Sequence, residues 1–157
     1  MPIEFVAMET DLVHAYRAGE PDANGHPAER AVSDGIGKPC RHCLRDVPAG
    51  DEMLILAHRP FDDLHPYAEV GPIFLCAADC ARHEPGADLP PVIADTPKFL
   101  IKGYSKRERI VYGTGAVVPT TEIADRCAWI FADPDVAQIH IRSARNNCYQ
   151  ARVLRSD

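Results

Sequence analysis

The sequence predicts an α+β fold made mainly of antiparallel sheet with a few short helices. Three observations carry this. Short apolar or alternating runs recur along the chain between Gly- and Pro-containing turns. One stretch near the C-terminus, Thr121 to Ala132, has helical apolar spacing. Two cysteine pairs lie far apart in the chain, Cys40 with Cys43 and Cys76 with Cys80. At 157 residues the chain has the usual size of one domain, 1–157.

Taken in order, residues 3–7 alternate as a strand. Leu12, Val13 and Tyr16 then recur at helical spacing between Asp11 and Ala18, with Gly19 after them. Residues 19–27 are a loop by composition, and Ala28 to Ser33 returns as a short strand before the turn at Gly35 to Pro39. Met53 to Ala57 and Pro72 to Leu75 are compact apolar runs, expected as buried strands. Residues 84–97 hold five breakers, Pro85, Gly86, Pro90, Pro91 and Pro97, and are expected to be an irregular connector. Phe99 to Tyr104 and Arg109 to Tyr112 are expected to pair as a hairpin whose second strand runs on toward Val118. In the Thr121 to Ala132 helix, Ile123, Cys127, Ile130 and Phe131 share a face; Thr120 or Thr121 is available as N-cap, and Pro134 follows the end. Val136 to Arg142 and Cys148 to Leu154 form a last hairpin.

Composition excludes several classes. A net charge of −6 opposes a phosphate backbone, and only Lys106, Arg107 and Arg109 cluster, so nucleic acid is disfavoured as a partner. The acidic N-terminus lacks the basic and apolar segments of a secretory signal, and no apolar run reaches the roughly 20 residues that span a bilayer. A cytoplasmic location without membrane contact is expected. In a reducing compartment six cysteines read as ligands, reactive thiols or packing residues before disulfides. There is no phosphate-binding glycine loop, dinucleotide fingerprint or serine elbow.

The CxxC at Cys40-Arg41-His42-Cys43 and the CxxxC at Cys76 to Cys80 offer four thiolates, the set that closes a tetrahedral structural zinc site. One zinc ion is the expected cofactor, with Cys40, Cys43, Cys76 and Cys80 as ligands and His83 as a substitute. A helix starting near Ala77 would put Cys76 and Cys80 on one side. Three other readings use the same thiols, the plainest being that they are merely buried apolar residues. Redox chemistry at Cys40 and Cys43 needs a helix after Cys43, where Pro48 and Gly50 leave little room. A catalytic zinc needs an open coordination position, which four cysteines fill. Cys127 and Cys148 are assigned to packing.

The residues around the pairs, Leu44 to Glu52 after the first and Pro72 to Leu75 before the second, resemble a treble-clef zinc knuckle over residues 39–84. That resemblance implies a zinc-knuckle-like insertion. Pro39 to Leu44, Arg59-Pro60-Phe61, Pro66 to Glu69, Gly71 to Phe74 and Cys148-Tyr149, in this order, also resemble a mainly bacterial family, domain-of-unknown-function family 1203. The resemblance supplies no reaction. In that family His commonly stands at the position of Cys76, and an amide side chain where this chain has Ser143.

Two polar groupings remain. Gln138, His140 and Arg142 alternate with Ile139 and Ile141, so one face of the last hairpin is polar. With Arg41 or Glu69 nearby it could bind a small anionic ligand, because Arg offers a planar fork to a carboxylate or phosphate; the plainer expectation is a solvated sheet face. Asp62, Asp63, His65 and Glu69 are expected to form a solvated acidic loop. Together these readings point to a zinc-stabilised binding or interaction domain, for a small anion or a protein partner. The alternatives are a small enzyme working near His140, Arg142 and Glu69, and a thiol redox protein.

Overall fold

The computed structural model describes residues 2–157. Eight strands form two antiparallel sheets. The larger has the order β1-β8-β7-β5-β6, from Ile3–Val6 (β1), Lys98–Ser105 (β5), Ala116–Pro119 (β6), Val136–Ser143 (β7) and Tyr149–Arg155 (β8). The smaller is β2-β3-β4, from Glu29–Val32 (β2), Glu52–His58 (β3) and Gly71–Cys76 (β4). Helices α1 (Thr10–Arg17), α2 (Pro91–Ala94) and α3 (Ile123–Phe131) are short. None of the described helices is long and apolar enough to cross a membrane.

Helix α3 packs its predicted apolar face, Ile123, Cys127, Ile130 and Phe131, on one side of the large sheet against Phe99, Ile101, Ile139, Ile141 and Val153. Cys127 is therefore a core residue. A second cluster, with Val13, Met53, Leu54, Leu56, Ile73 and Leu75, joins α1 to the small sheet. Cys40 belongs to this second cluster, and Leu44 to the first, so the CxxC turn lies where the two cores meet.

Four local expectations change. The strand that pairs with β5 is Ala116–Pro119, with Phe99 opposite Val118, and only the single bridge Tyr104–Ile110 survives of the expected Arg109–Tyr112 strand. The chain turns away there because Glu108 and Gly113 take positive φ, and Thr114 Oγ1 accepts the Gly103 N–H at 2.9 Å where a strand partner would stand. The 84–97 connector contains α2, with Pro91 in the first helical turn, where its missing N–H costs nothing, and Val92 and Ile93 buried. Thr120 does not cap α3: a 3-10 turn over Thr120–Glu122 precedes the helix, and the Thr120 hydroxyl donates to the Thr96 carbonyl. No helix starts at Ala77. The β3–β4 ladder runs past Cys76, with the Ala77 N–H bonded to Glu52 O at 3.1 Å, so the backbone there is committed to strand pairing instead.

Candidate metal centre and buried polar layer

The CxxC turn is closed by Leu44 N–H to Cys40 O at 2.9 Å, with Leu44 held at φ 54°. Its thiols face the end of β4, which delivers Cys76, and the irregular segment after it, which delivers Cys80. All four Sγ atoms lie within 4.8 Å of one another. Two pairs cross between segments, Cys40 with Cys80 at 3.9 Å and Cys43 with Cys76 at 4.0 Å, and all four cysteines are free. A tetrahedral ion with bonds of about 2.3 Å to sulfur separates its ligands by about 3.8 Å, so the donor set fits a metal ion. His83 lies outside the cluster; its backbone N–H bonds to His42 O.

The surroundings favour thiolate at Cys40 and Cys80, while hydrogen bonding with Cys40 pushes Cys43 and Cys76 above the ordinary thiol range. The Cys76 N–H points at Cys40 Sγ (3.3 Å), and Arg17 from α1 reaches Cys80 Sγ (3.2 Å) while its Nε holds Cys76 O (3.0 Å). The buried His42 ring lies between Cys80 Sγ (Nδ1, 3.1 Å) and the Thr10 hydroxyl (Nε2, 2.9 Å). Hydrogen bonding within the four thiols, from Cys40 first, and then from His42, holds Cys80 far below the ordinary thiol range. Bonding with Cys43, then Cys76, lowers Cys40 to about 6. Sequence reasoning missed Arg17, Thr10 and His42; only His42, inside the CxxC, was adjacent to a visible motif.

The polar face of the last hairpin is not solvated, contrary to the plainer expectation. His140 is 0% and Arg142 3% exposed, because the 58–70 segment lies over them. Phe61, Tyr104 and Tyr149 surround the His140 ring at centroid distances of 5.2, 4.3 and 5.0 Å. Arg142 Nη2 points at His140 Nδ1 at 3.2 Å. Arginine only donates, so Nδ1 accepts and the proton of the neutral ring sits on Nε2. Burial, then the charges of Arg142, Arg152 and Lys102, keep His140 neutral by pushing its pKa well below the usual value.

Glu69 joins this group at its rim. Its carboxylate lies 3.7 Å from Arg142 Nη1 and 3.6 Å from Lys102 Nζ, and accepts from Asn147 Nδ2 at 3.2 Å. Arg41 is buried elsewhere, donating to the carbonyls of Tyr149 and Pro39 at 2.7 Å each. The structure thus brings together Glu69, His140 and Arg142 and gives Arg41 backbone partners instead. His58, Lys102 and Asn147 were missed. His58 had a signal, since it continues the buried alternation of Leu54 and Leu56, whereas Lys102 is brought to His140 only by cross-strand register.

The acidic loop is also only half solvated. Asp62 and Asp63 are exposed, but their N–H groups bond to the Glu108 carboxylate, which lies 3.3 Å from the half-buried His65 ring. Ser143 organises the β7–β8 turn through its Oγ, which accepts the Cys148 N–H at 3.0 Å.

Among the described residues, buried side-chain atoms without a partner concentrate in this layer: His58 Nδ1, Tyr104 Oη, Gln138 Oε1, His140 Nε2 and Arg142 Nε. Native proteins satisfy most such atoms, so a cluster of them marks a place built for water or a ligand.

No curated protein and no solved structure matches the chain. A family model described as "Protein of unknown function (DUF1203)" matches residues 37–155, a stretch that takes in both the four-cysteine cluster and the buried polar layer, and the chain belongs to that family.

Proposed function

We propose that this protein is a zinc-stabilised binding domain of the reducing cytoplasm, in which a structural ion holds the small sheet to the CxxC turn and the polar layer of the large sheet receives a small anion. The observation that carries the reading is four free thiols at tetrahedral spacing. Zinc suits this set because it takes four sulfur ligands without redox demands. The role is structural: all four positions are sulfur, and the groups around them, Arg17 and His42, are hydrogen-bonded to Cys80. The likeness to a treble clef covers the CxxC turn and the β3–β4 hairpin; the second pair comes from a strand end and an irregular segment. A redox dithiol at Cys40 and Cys43 is the weaker reading, since each of these sulfurs also lies against a sulfur of the second pair.

The anion assignment rests on the excess of buried positive charge. Lys102 and Arg142 face one carboxylate, that of Glu69, which is partly in solvent. Metal analysis of protein purified without a metal-affinity tag tests the central claim. About one zinc per chain, with four thiols protected until a chelator is added, is the expected result. Metal-free protein with freely titrating Cys40 and Cys43 would overturn it.

A further inference from the structure

Between the 58–72 segment and the β7–β8 turn lies a cavity of about 170 Å³. Pro60, Val70 and Pro72 line part of it, and His58, Arg142 and Asn147 are among the polar residues that line the rest, with Glu69 beside them. The Arg142 side chain is 4% exposed. Its Nη1 donates to Asn147 O at 3.1 Å and its Nη2 to His140 Nδ1 at 3.2 Å, while Nε has no partner. A buried guanidinium with a free donor and no carboxylate in close contact leaves desolvation uncompensated.

Glu69 does not complete the set. Charge-assisted N–H···O bonds close to about 2.7–2.9 Å. The Glu69 carboxylate stops at 3.6 Å from Lys102 and 3.7 Å from Arg142, on a side chain that is 43% exposed. It accepts from Asn147 but leaves both cations loosely paired, so it holds the cradle only in part.

We infer that this cradle is a carboxylate site, and that a small monocarboxylate occupies the cavity by displacing the Glu69 side chain. The inference rests on the small-anion reading above and narrows it. A carboxylate fits better than a phosphate because of how the donors are placed. The donors divide over the two oxygens of one planar group, Lys102 on Oε1 and Arg142 with Asn147 on Oε2. The cavity has room for roughly six non-hydrogen atoms at about 30 Å³ each. Glu69 acts as a competing internal ligand, so it weakens the observed affinity by the fraction of time it holds the site.

Calorimetric titration of the full chain with butyrate and with inorganic phosphate, on the wild type and on Glu69→Gln and Glu69→Ala, tests this. Removing the partly exposed carboxylate should leave the fold intact and tighten butyrate binding at least tenfold. Adding Lys102→Met to Glu69→Gln should then weaken it again. Equal butyrate affinity in wild type and both Glu69 variants would overturn displacement. Phosphate bound in preference to butyrate would overturn the carboxylate assignment while leaving the small-anion reading in place. Binding of neither anion to any variant would overturn both.

Discussion

The two sheets solve the same problem in opposite ways. Each carries polar groups that a hydrophobic core cannot hold unaided. In the small sheet the four thiols are drawn together and ringed by donors from Arg17, His42 and the Cys76 backbone, so the site is complete once an ion is present. In the large sheet His140 and Arg142 are buried against aromatic rings, and several of the atoms around them have no partner. On the reading proposed above, the first arrangement would hold the fold together and the second would keep a place open. A metal brace gains by satisfying every ligand, whereas a binding layer must leave donors for its guest.

The largest effect that would break this comparison comes from the brace. Cys40→Ser removes one ligand, and metal binding to such sites is folding free energy, so a loss of more than about 3 kcal/mol is expected. The damage should be local. Hydrogen exchange should speed in β2, β3 and β4 and leave β5, β7 and β8 protected, because the large sheet has its own core with α3. Uniform loss of protection would show that the two regions open as one unit, and an unchanged melting temperature would remove the brace altogether.

The binding layer has its own signature in pH. Burial, then the charges of Arg41, Arg152 and Arg59, push His58 from 6.5 down to about 4. A depressed histidine means that the unfolded chain takes up the proton first. Stability is therefore fully present above about pH 6.5 and falls as pH drops toward 4, by about 3 kcal/mol from this group. His140 acts in the same direction. His58→Phe keeps a ring beside Tyr16 and Tyr149 and removes the proton site and the partnerless Nδ1. Denaturant midpoints from pH 7 to pH 4 should then fall less steeply than in the wild type. Parallel pH curves would mean that His58 is not held neutral.

The two regions also differed in how much the sequence revealed. The cysteine cluster was legible because its pairs are local: a CxxC turn places two thiols side by side whatever surrounds it. What the spacing could not show was the path after Cys76, where strand pairing with Glu52 prevailed over the expected helix. The alternation of Gln138, His140 and Arg142 was equally visible, yet its burial was not. Nothing local says that Phe61, on a loop between two other strands, will cover His140, or that register will set Lys102 opposite it. The misplaced partner of β5 has the same origin, since Glu108 leaves the hairpin path to hold the distant 62–65 loop.

The smallest expected effect tests whether the large sheet stands apart from the metal. Gly103 in β5 lies under α3, and a Cβ there would meet Ile130 Cγ2 at 3.0 Å, Val136 Cγ1 at 3.2 Å and Thr114 Oγ1 at 3.3 Å. The two methyl groups can give by a few tenths of an ångström. Thr114 cannot, because its Oγ1 already accepts the Gly103 N–H and donates to Val111 O at 2.6 Å. Overpacking of this kind costs about 1–3 kcal/mol, and the lost freedom of the unfolded glycine offsets roughly 0.4–1 kcal/mol of it. Gly103→Ala should therefore destabilise by about 1 kcal/mol in chemical denaturation with metal content unchanged. A stabilised variant would mean that α3 can move aside, and a variant that loses metal would join the two sheets into one cooperative unit.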